Sequence, residues 1–151
     1  MANPVCEVLV TEAQLSAPGN RVDLAAGAVV DFRGIVRGSE DGRKIEGIDY
    51  EAHREMAEHQ LRQIAEQATI QFQLRSVIIH HRIGFVAVGE PSLFMRVCSG
   101  HRQAAFQASC WIVDGLKKKV PIWKRPRFKV ENDTRPWSSS PATAAAPVRA
   151  K

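Results

Sequence analysis

Two stretches of the sequence repeat apolar residues with the period of an α-helix, and strand-like segments separate and surround them. The first stretch runs from Arg54 to Phe72 and the second from Gly100 to Val120. Each amphipathic helix must bury its apolar face against another element, so this order limits the possible folds. The predicted buried positions are Ala57, Leu61, Ile64, Ala65, Ala68 and Phe72 in the first helix, and Ala105, Ala108, Ser109, Ile112 and Leu116 in the second.

The segments around the helices have the composition of β-strands. The predicted strands lie within residues 5–12, 27–38, 44–53, 74–84, 92–100 and 121–130, and residues 85–92 are predicted to turn. An Asp-Gly pair at 41–42 predicts a hairpin between the second and third strands. Strand pairs separated by helices predict an α+β fold, with the helices on one face of a largely antiparallel sheet.

The chain is long enough for one domain with its own core, since it has 151 residues of which 44% are apolar. We expect this domain to span residues 1–131. From residue 132 to residue 151 the sequence is rich in Ser, Pro and Ala. Such a composition buries little apolar surface, so a disordered tail is predicted there.

The cysteines and histidines give no indication of a disulfide framework or a metal site. There are three cysteines, without a CxxC pair, and Cys98 and Cys110 are predicted to be buried, unreactive thiols. His80 and His81 are adjacent on a strand, so they point to opposite faces. No signal peptide or membrane span is apparent, and reduced thiols favour a cytoplasmic location.

The positive charge of the chain is concentrated in one segment. The net charge is +5, and residues 117–129 contain seven of the 21 lysines and arginines without a carboxylate. The rest of the chain is therefore slightly negative. A local cationic patch indicates an anionic partner but does not identify it.

Lys117 and Lys124 are the two lysines that a turn at Pro121 can bring together. Proline disfavours helical geometry in the preceding residue, so the second helix ends before Pro121 and the chain folds back. Two neighbouring ammonium groups repel each other, which favours loss of a proton from one. Such a lysine can act as an acid, a base or a nucleophile. The alternative is a solvated helix end, where lysines are also favourable.

Arg37, His101 and Arg102 are further candidates for an anion site. His101 and Arg102 open the second helix, where free N–H groups and a guanidinium favour anions. Arg37 ends a strand in which Gly34 and Gly38 allow close backbone approach. The alternative in each case is an ordinary surface arginine or a hydrogen-bonded histidine.

Five segments in register carry a resemblance to one protein family. They read GAVVDFRGIVR, IDYEAHREMAE, HHRIGFVAVGE, VCSGHRQAAFQA and LKKKVPIWKRP, and they extend from about Gly27 to Pro126. In these residues the chain resembles the large, catalytic subunit of molybdopterin synthase. The Ser-Gly-His-Arg helix start and the Leu-Lys-x-x-x-Pro-x-Trp-Lys segment are the most specific parts.

The resemblance implies a fold and a reaction. The fold is an α/β-hammerhead with an additional antiparallel β-subdomain. The reaction is sulfur transfer to cyclic pyranopterin monophosphate (precursor Z), which yields the dithiolene of molybdopterin during molybdenum cofactor biosynthesis. The sulfur donor is the thiocarboxylated Gly-Gly terminus of a small ubiquitin-like subunit. A homodimer with one small subunit at each end forms a heterotetramer, and no cofactor is expected.

The resemblance also assigns site residues. Lys117, four residues before Pro121, and Lys124 match the two catalytic lysines, which also contact substrate. The implied substrate-binding positions, with His101 and Arg102 supplied across the dimer interface, are Ile35, Val36, Arg37, His101, Arg102, Lys117, Lys124, Arg125 and Pro126. Pro126 departs from the family, which commonly has Glu there, so a carboxylate that could orient Lys124 is missing.

A second hypothesis is a basic module that binds RNA or DNA without catalysis. The cationic run and the interleaved Trp111, Trp123 and Phe128 favour it, since aromatic rings stack on bases. The confinement of the charge to one segment and the absence of a nucleic-acid-binding motif argue against it.

Overall fold

The structure, a computed structural model, describes residues 4–19, 23–130 and 148–149. Its elements follow the predicted order, with a short strand added at three places. The elements are β1 (Val5–Thr11), β2 (Ala28–Ile35), β3 (Ser39–Glu40), β4 (Arg43–Ala52), α1 (Arg54–Phe72), β5 (Ser76–Arg82), β6 (Gly84–Ala87), β7 (Pro91–Ser99), α2 (Arg102–Lys119), β8 (Ile122–Phe128) and β9 (Val148–Arg149).

The first sheet has four strands in the order β1-β5-β7-β2. β1 runs parallel to β5, whereas β5 and β2 both run antiparallel to β7. The two helices contact this sheet and each other, α1 through β1 and β5, and α2 through β2 and β7. The predicted α+β class, with two helices packed on a sheet, is confirmed.

The main core lies between the helices and this sheet. The limits of α1 match the predicted segment, and both predicted stripes are buried except for Phe72, which is half-buried against Trp111. Burying one large aliphatic side chain stabilises the fold by about 1.5–3 kcal/mol. This packing therefore holds α2 firmly, and with it the position of the helix end.

The second sheet is built around β4, which pairs antiparallel with β6 on one side and β8 on the other. The turn predicted for residues 85–92 is wrong at both ends, because Phe85–Ala87 belong to β6 and Pro91 begins β7. β6 pairs with β4, and β7 pairs with β2 and β5, so both ends of this segment are held in extended geometry. This sheet corresponds to the antiparallel subdomain that the resemblance implied.

The predicted Asp-Gly hairpin forms, but it is shorter than expected. Asp41 and Gly42 both have positive φ (50° and 76°), as the tight turn of a two-residue hairpin requires. The turn joins β4 to the two-residue strand β3. β2 does not take part, because it pairs with β7 in the other sheet.

The end of α2 determines where β8 begins. The N–H of Val120 donates to the carbonyl of Leu116, and Val120 itself is already extended. Pro121 follows, and β8 then pairs with β4 from Ile122 to Phe128. The chain therefore reverses within a few residues and places β8 beside the last turn of the helix.

The predicted domain and tail lie partly outside the described residues. Residues 132–147 and 150–151 are not described, so the disordered tail stays a prediction for them. Val148 and Arg149 do not fit the predicted disorder, since they form β9. In β9, Val148 pairs with Lys124 and Arg149 pairs with Trp123 of β8. The open edge of β8 offers unpaired backbone groups that an extended segment can satisfy.

His81 is a polar residue buried in this fold. It lies on β5 with 3% of its surface exposed. Its Nδ1 donates to the Arg82 carbonyl at 2.8 Å, and its ring packs edge-on against Tyr50. Burial lowers the pKa of His81 from 6.5 to about 4, and the hydrogen bond to Arg82 opposes the shift only partly.

We expect Gly47→Ala to destabilise the fold by about 1–3 kcal/mol, because a methyl group there overpacks the β4–β6 contact. The added Cβ would lie 2.4 Å from the Val86 carbonyl oxygen and 2.6 Å from the Phe85 ring. Gly38→Ala is the control, since its nearest neighbour is 3.9 Å away. Urea unfolding checks this, and equal unfolding free energies for the two variants would contradict it.

We also expect the stability to fall as the pH is lowered from 6.5 to 4. The unfolded chain binds a proton at His81 in this window and the folded chain does not, so acid favours unfolding. A shift from 6.5 to about 4 corresponds to a loss on the order of 3 kcal/mol. His81→Gln should flatten this part of the pH profile, whereas replacement of the exposed His59 should not. An unchanged profile in His81→Gln would contradict the assignment.

Candidate active site

A cavity of about 310 Å³ opens where the two sheets meet the end of α2. Its volume is at the lower end of the range for small-molecule sites. Residues from both sheets and the helix surround it. They are Phe32, Gly34, Ile35, Val36, Arg37, Glu40, Ile48, Tyr50, His81, Ser92, Leu93, Leu116, Lys117 and Lys124.

Lys117 enters the cavity from the last turn of α2. The preceding Leu116 is buried in the core and lines the same cavity. Lys118 and Lys119 are also exposed in this turn, but neither lines the cavity. Of the three consecutive lysines, Lys117 is therefore the one whose side chain reaches the cavity, next to the buried Leu116.

Lys124 enters the cavity from β8. Side chains alternate across a strand, and on β8 Lys124 and Pro126 are half-buried whereas Trp123, Arg125 and Arg127 are exposed. The ammonium Nζ of Lys124 donates to Glu40 Oε1 at 2.9 Å, and both side chains are largely shielded from solvent. The structure therefore brings Lys117 and Lys124 to one cavity.

Ile35, Val36 and Arg37 form another part of the wall. Val36 is buried, its N–H donates to the Glu90 carbonyl at 3.1 Å, and its own carbonyl accepts from the Gly89 N–H at 2.9 Å. These bonds fix the backbone, while the Arg37 side chain remains 80% exposed. Its Nη2 lies 3.8 Å from Glu40 Oε2. The cavity thus has three cationic side chains and one carboxylate.

Arg125 and Pro126 are not among the cavity-lining residues. Arg125 points to the opposite face of β8, where it borders a shallow depression with Trp123 and Arg127. Arg127 is engaged there by two hydrogen bonds to Asp49, at 2.6 and 2.8 Å. Pro126 lies on the same face of β8 as Lys124 but farther along the strand. Both remain predicted substrate contacts.

His101 and Arg102 lie at the opposite end of α2 from Lys117. Lys117 is the fifteenth residue after Arg102 along the helix, which corresponds to roughly 22 Å at 1.5 Å per residue. Both side chains are exposed. One copy of the chain therefore does not bring this pair to the cavity.

Sequence reasoning missed Glu40, Tyr50 and His81 as cavity residues. Glu40 directly precedes the predicted Asp-Gly turn, and the sequence pattern marks His81 only as the neighbour of His80 on a strand. The acid missing at position 126 is a usable signal, because it directs attention to other carboxylates that could orient Lys124. No local pattern marks Tyr50, whose position depends on β4–β8 pairing.

The cysteines take no part in the cavity lining. Cys98 is buried as predicted, but the prediction is wrong for Cys110, which is exposed. Cys110 lies beside the buried stripe of α2 rather than within it, so its side chain faces outward. A cysteine nucleophile at this site is therefore not available from the lining residues.

The described residues contain neither a cluster of metal-binding side chains nor a helix that could span a membrane. Within residues 4–19, 23–130 and 148–149, no three His, Cys, Asp or Glu side chains are grouped as a metal site requires. The predicted absence of a metal stays a prediction. The helices of the described part are too short or too polar to cross a bilayer.

Known proteins resemble the chain in sequence and in fold. The profile of the MoaE protein family matches residues 8–119. The molybdopterin synthase catalytic subunit of Pyrococcus abyssi is 44% identical over 114 residues, which are 72% of this chain and 77% of that protein. This name agrees with the enzyme hypothesis and not with the nucleic-acid-binding one.

Solved structures give the same result for the fold. The crystal structure of molybdopterin synthase from Staphylococcus aureus matches with a TM-score of 0.74 and 31% identity, over 82% of this chain and 90% of that chain. A complex of subunits 1 and 2 of the molybdopterin-converting factor from Helicobacter pylori matches with a TM-score of 0.60 over 85% and 92% of the two chains. At 18% identity it shares the fold alone. The chain therefore belongs to the MoaE family of molybdopterin synthase catalytic subunits.

Proposed function

We propose that this chain transfers sulfur from the thiocarboxylated terminus of a small ubiquitin-like subunit to cyclic pyranopterin monophosphate. The observation that carries the proposal is the shared cavity, in which Lys117 and Lys124 lie with Arg37. Three cations around a small cavity suit a phosphorylated substrate and an anionic peptide terminus. Family membership supports the enzyme class.

The residues of the cavity divide into binding and reacting groups. Arg37 holds the substrate phosphate by charge-assisted hydrogen bonds. Ile35 and Val36 form the wall beside it, whereas Arg125 and Pro126, which lie outside the cavity lining, contact the substrate only if it extends beyond the cavity along β8. Lys117 and Lys124 donate protons and stabilise negative charge as the reaction proceeds.

In each round the thiocarboxylate sulfur attacks a carbon of the pyranopterin side chain, so that a C–S bond forms and a C–O bond breaks. The departing oxygen takes a proton from one of the two ammonium groups. Water then attacks the acyl carbon, which breaks the acyl–sulfur bond and leaves sulfur on the pterin. The small subunit departs as a carboxylate, and a second round completes the dithiolene.

The partner enters through its C-terminal tail. The Helicobacter pylori structure that shares this fold is a complex of two subunits, which supports a second subunit here. A Gly-Gly terminus has no side chains beyond hydrogen, so of all peptide ends it needs the least space in a cavity of about 310 Å³. The cationic segment 117–129 attracts an acidic partner surface.

His101 and Arg102 act from a second copy of the chain. One helix cannot present both of its ends to one small substrate, so the pair reaches the cavity only across a homodimer interface. Two such chains with two small subunits form the heterotetramer. We place this assembly in the cytoplasm, where the three cysteines stay reduced.

We expect Lys117→Ala and Lys124→Ala each to lower the rate of dithiolene formation by roughly 10²–10⁴-fold, as for loss of a proton-transferring group. The assay supplies thiocarboxylated small subunit and pyranopterin substrate. Lys118→Ala is the matched control, because Lys118 lies in the same helical turn outside the cavity lining. Near-normal rates for both cavity variants would contradict the proposal.

The shared site predicts complementation between two inactive variants. Lys117→Ala and Arg102→Ala disable different halves of each site, so a mixed dimer contains one intact site. Coexpression should restore about a quarter of the wild-type activity, the share expected for random pairing in a two-fold dimer. Mixing Lys117→Ala with Lys124→Ala should restore none, because both residues come from one chain. Equal recovery in the two mixtures would exclude the shared site.

A further inference from the structure

We propose that Glu40 is the positioning residue that fixes Lys124 in the cavity, in place of an acid on β8. The inference rests on the proposed function, because it concerns the same lysine. It adds a residue from the β3–β4 hairpin to the site. Glu40 does not touch the reacting atoms but acts through Lys124.

The first observation is the contact itself. Lys124 Nζ lies 2.9 Å from Glu40 Oε1, with 16% and 17% of the two side chains exposed. This degree of shielding separates the pair from the surface ion pairs that contribute little. Among the residues that line the cavity, Glu40 carries the only carboxylate. Lys124 therefore has one anionic partner there.

The second observation is that the same carboxylate faces two of the three cavity cations. Its Oε1 accepts from Lys124, and its Oε2 lies 3.8 Å from Arg37 Nη2. The hydrogen bond holds Lys124, whereas the exposed Arg37 is only within ion-pair distance of the same carboxylate. A free lysine side chain carries up to about 2 kcal/mol of rotamer entropy. Glu40 removes much of this freedom before the substrate arrives, which is what a preorganised site requires.

The hairpin gives Glu40 its direction. Asp41 and Gly42 form the tight turn, and Glu40 pairs with Arg43 across it. Ile45, which follows on β4, is buried and its N–H donates to the Gly38 carbonyl at 3.1 Å. The short hairpin is thus anchored to the second core, and it directs Glu40 inward while Asp41 remains exposed.

The third observation is the residue at position 126. Residues 124 and 126 share one face of β8 because side chains alternate along a strand. Pro126 has no polar side-chain atom, so it offers Lys124 no hydrogen bond. The nearby acids of β4 are engaged elsewhere or face away, since Asp49 binds Arg127 and Glu51 pairs with Trp123. Glu40 supplies the carboxylate that β8 lacks.

Glu40→Gln tests the inference, with Asp41→Asn as the matched control. Asn tolerates the left-handed geometry of the turn, so the control removes the neighbouring charge and keeps the hairpin. We expect Glu40→Gln to lower kcat by about 10–100-fold, as for a misplaced catalytic group, with little change in KM. Asp41→Asn should keep the wild-type kcat.

A second substitution distinguishes positioning from structure. Pro126→Glu places a carboxylate on the face of β8 that carries Lys124, so it should restore most of the lost kcat when combined with Glu40→Gln. If the ion pair between Glu40 and Lys124 only stabilised the fold, Glu40→Gln would lower the Tm and Pro126→Glu would not restore kcat. Assays are run at least 15 °C below each variant's Tm, so that unfolding does not contribute.

The outcomes separate the two proposals. If the wild-type chain makes no dithiolene with thiocarboxylated partner and substrate, the proposed function is wrong. If the wild type is active, an unchanged kcat in Glu40→Gln overturns the role of Glu40. A lowered kcat that Pro126→Glu does not restore also overturns it. A lowered kcat with rescue by Pro126→Glu supports it.

Discussion

The antiparallel pairing of β8 with β4 is the interaction on which the site depends. α2 is held by its buried stripe, and Pro121 ends it at a fixed point above the first sheet. Because β8 then pairs with β4 from Ile122 onward, Lys124 returns to the helix end that carries Lys117. Without this pairing the two lysines, which lie on α2 and β8, would have no common cavity.

The electrostatics of the cavity follow from that geometry. Three cationic side chains converge on a space with one carboxylate, and His81 beneath them is neutral because burial lowers its pKa to about 4. A neutral imidazole adds no positive charge to the cavity, so it does not repel the three cationic side chains. The cavity is thus prepared for an anion, while the hydrogen bond from Lys124 to Glu40 holds one of its cations in place.

Much of the fold could be predicted from the sequence, because local patterns determine it. The limits of α1, the stripe of α2 and the Asp-Gly turn all depend on neighbouring residues, and the structure confirms each of them. The pairing of β2 with β7 instead of β4, and the strand β6, are not predicted, since they depend on which distant strands pair. The same limit applies to the site. The spacing around Pro121 indicates Lys117 and Lys124, but Glu40 emerges only from the pairing of both β3 and β8 with β4, which brings its carboxylate to Lys124. The position of His101 and Arg102 relative to the cavity depends on a second chain, which one sequence does not specify.

The most direct test of the central claim is a crystal structure of this chain with its small subunit. The account predicts that the terminal carboxylate of the partner lies in the cavity, about 3 Å from the Nζ of Lys117 or Lys124. A tail that instead follows the outer face of β8, beside Trp123 and Arg125, would contradict it.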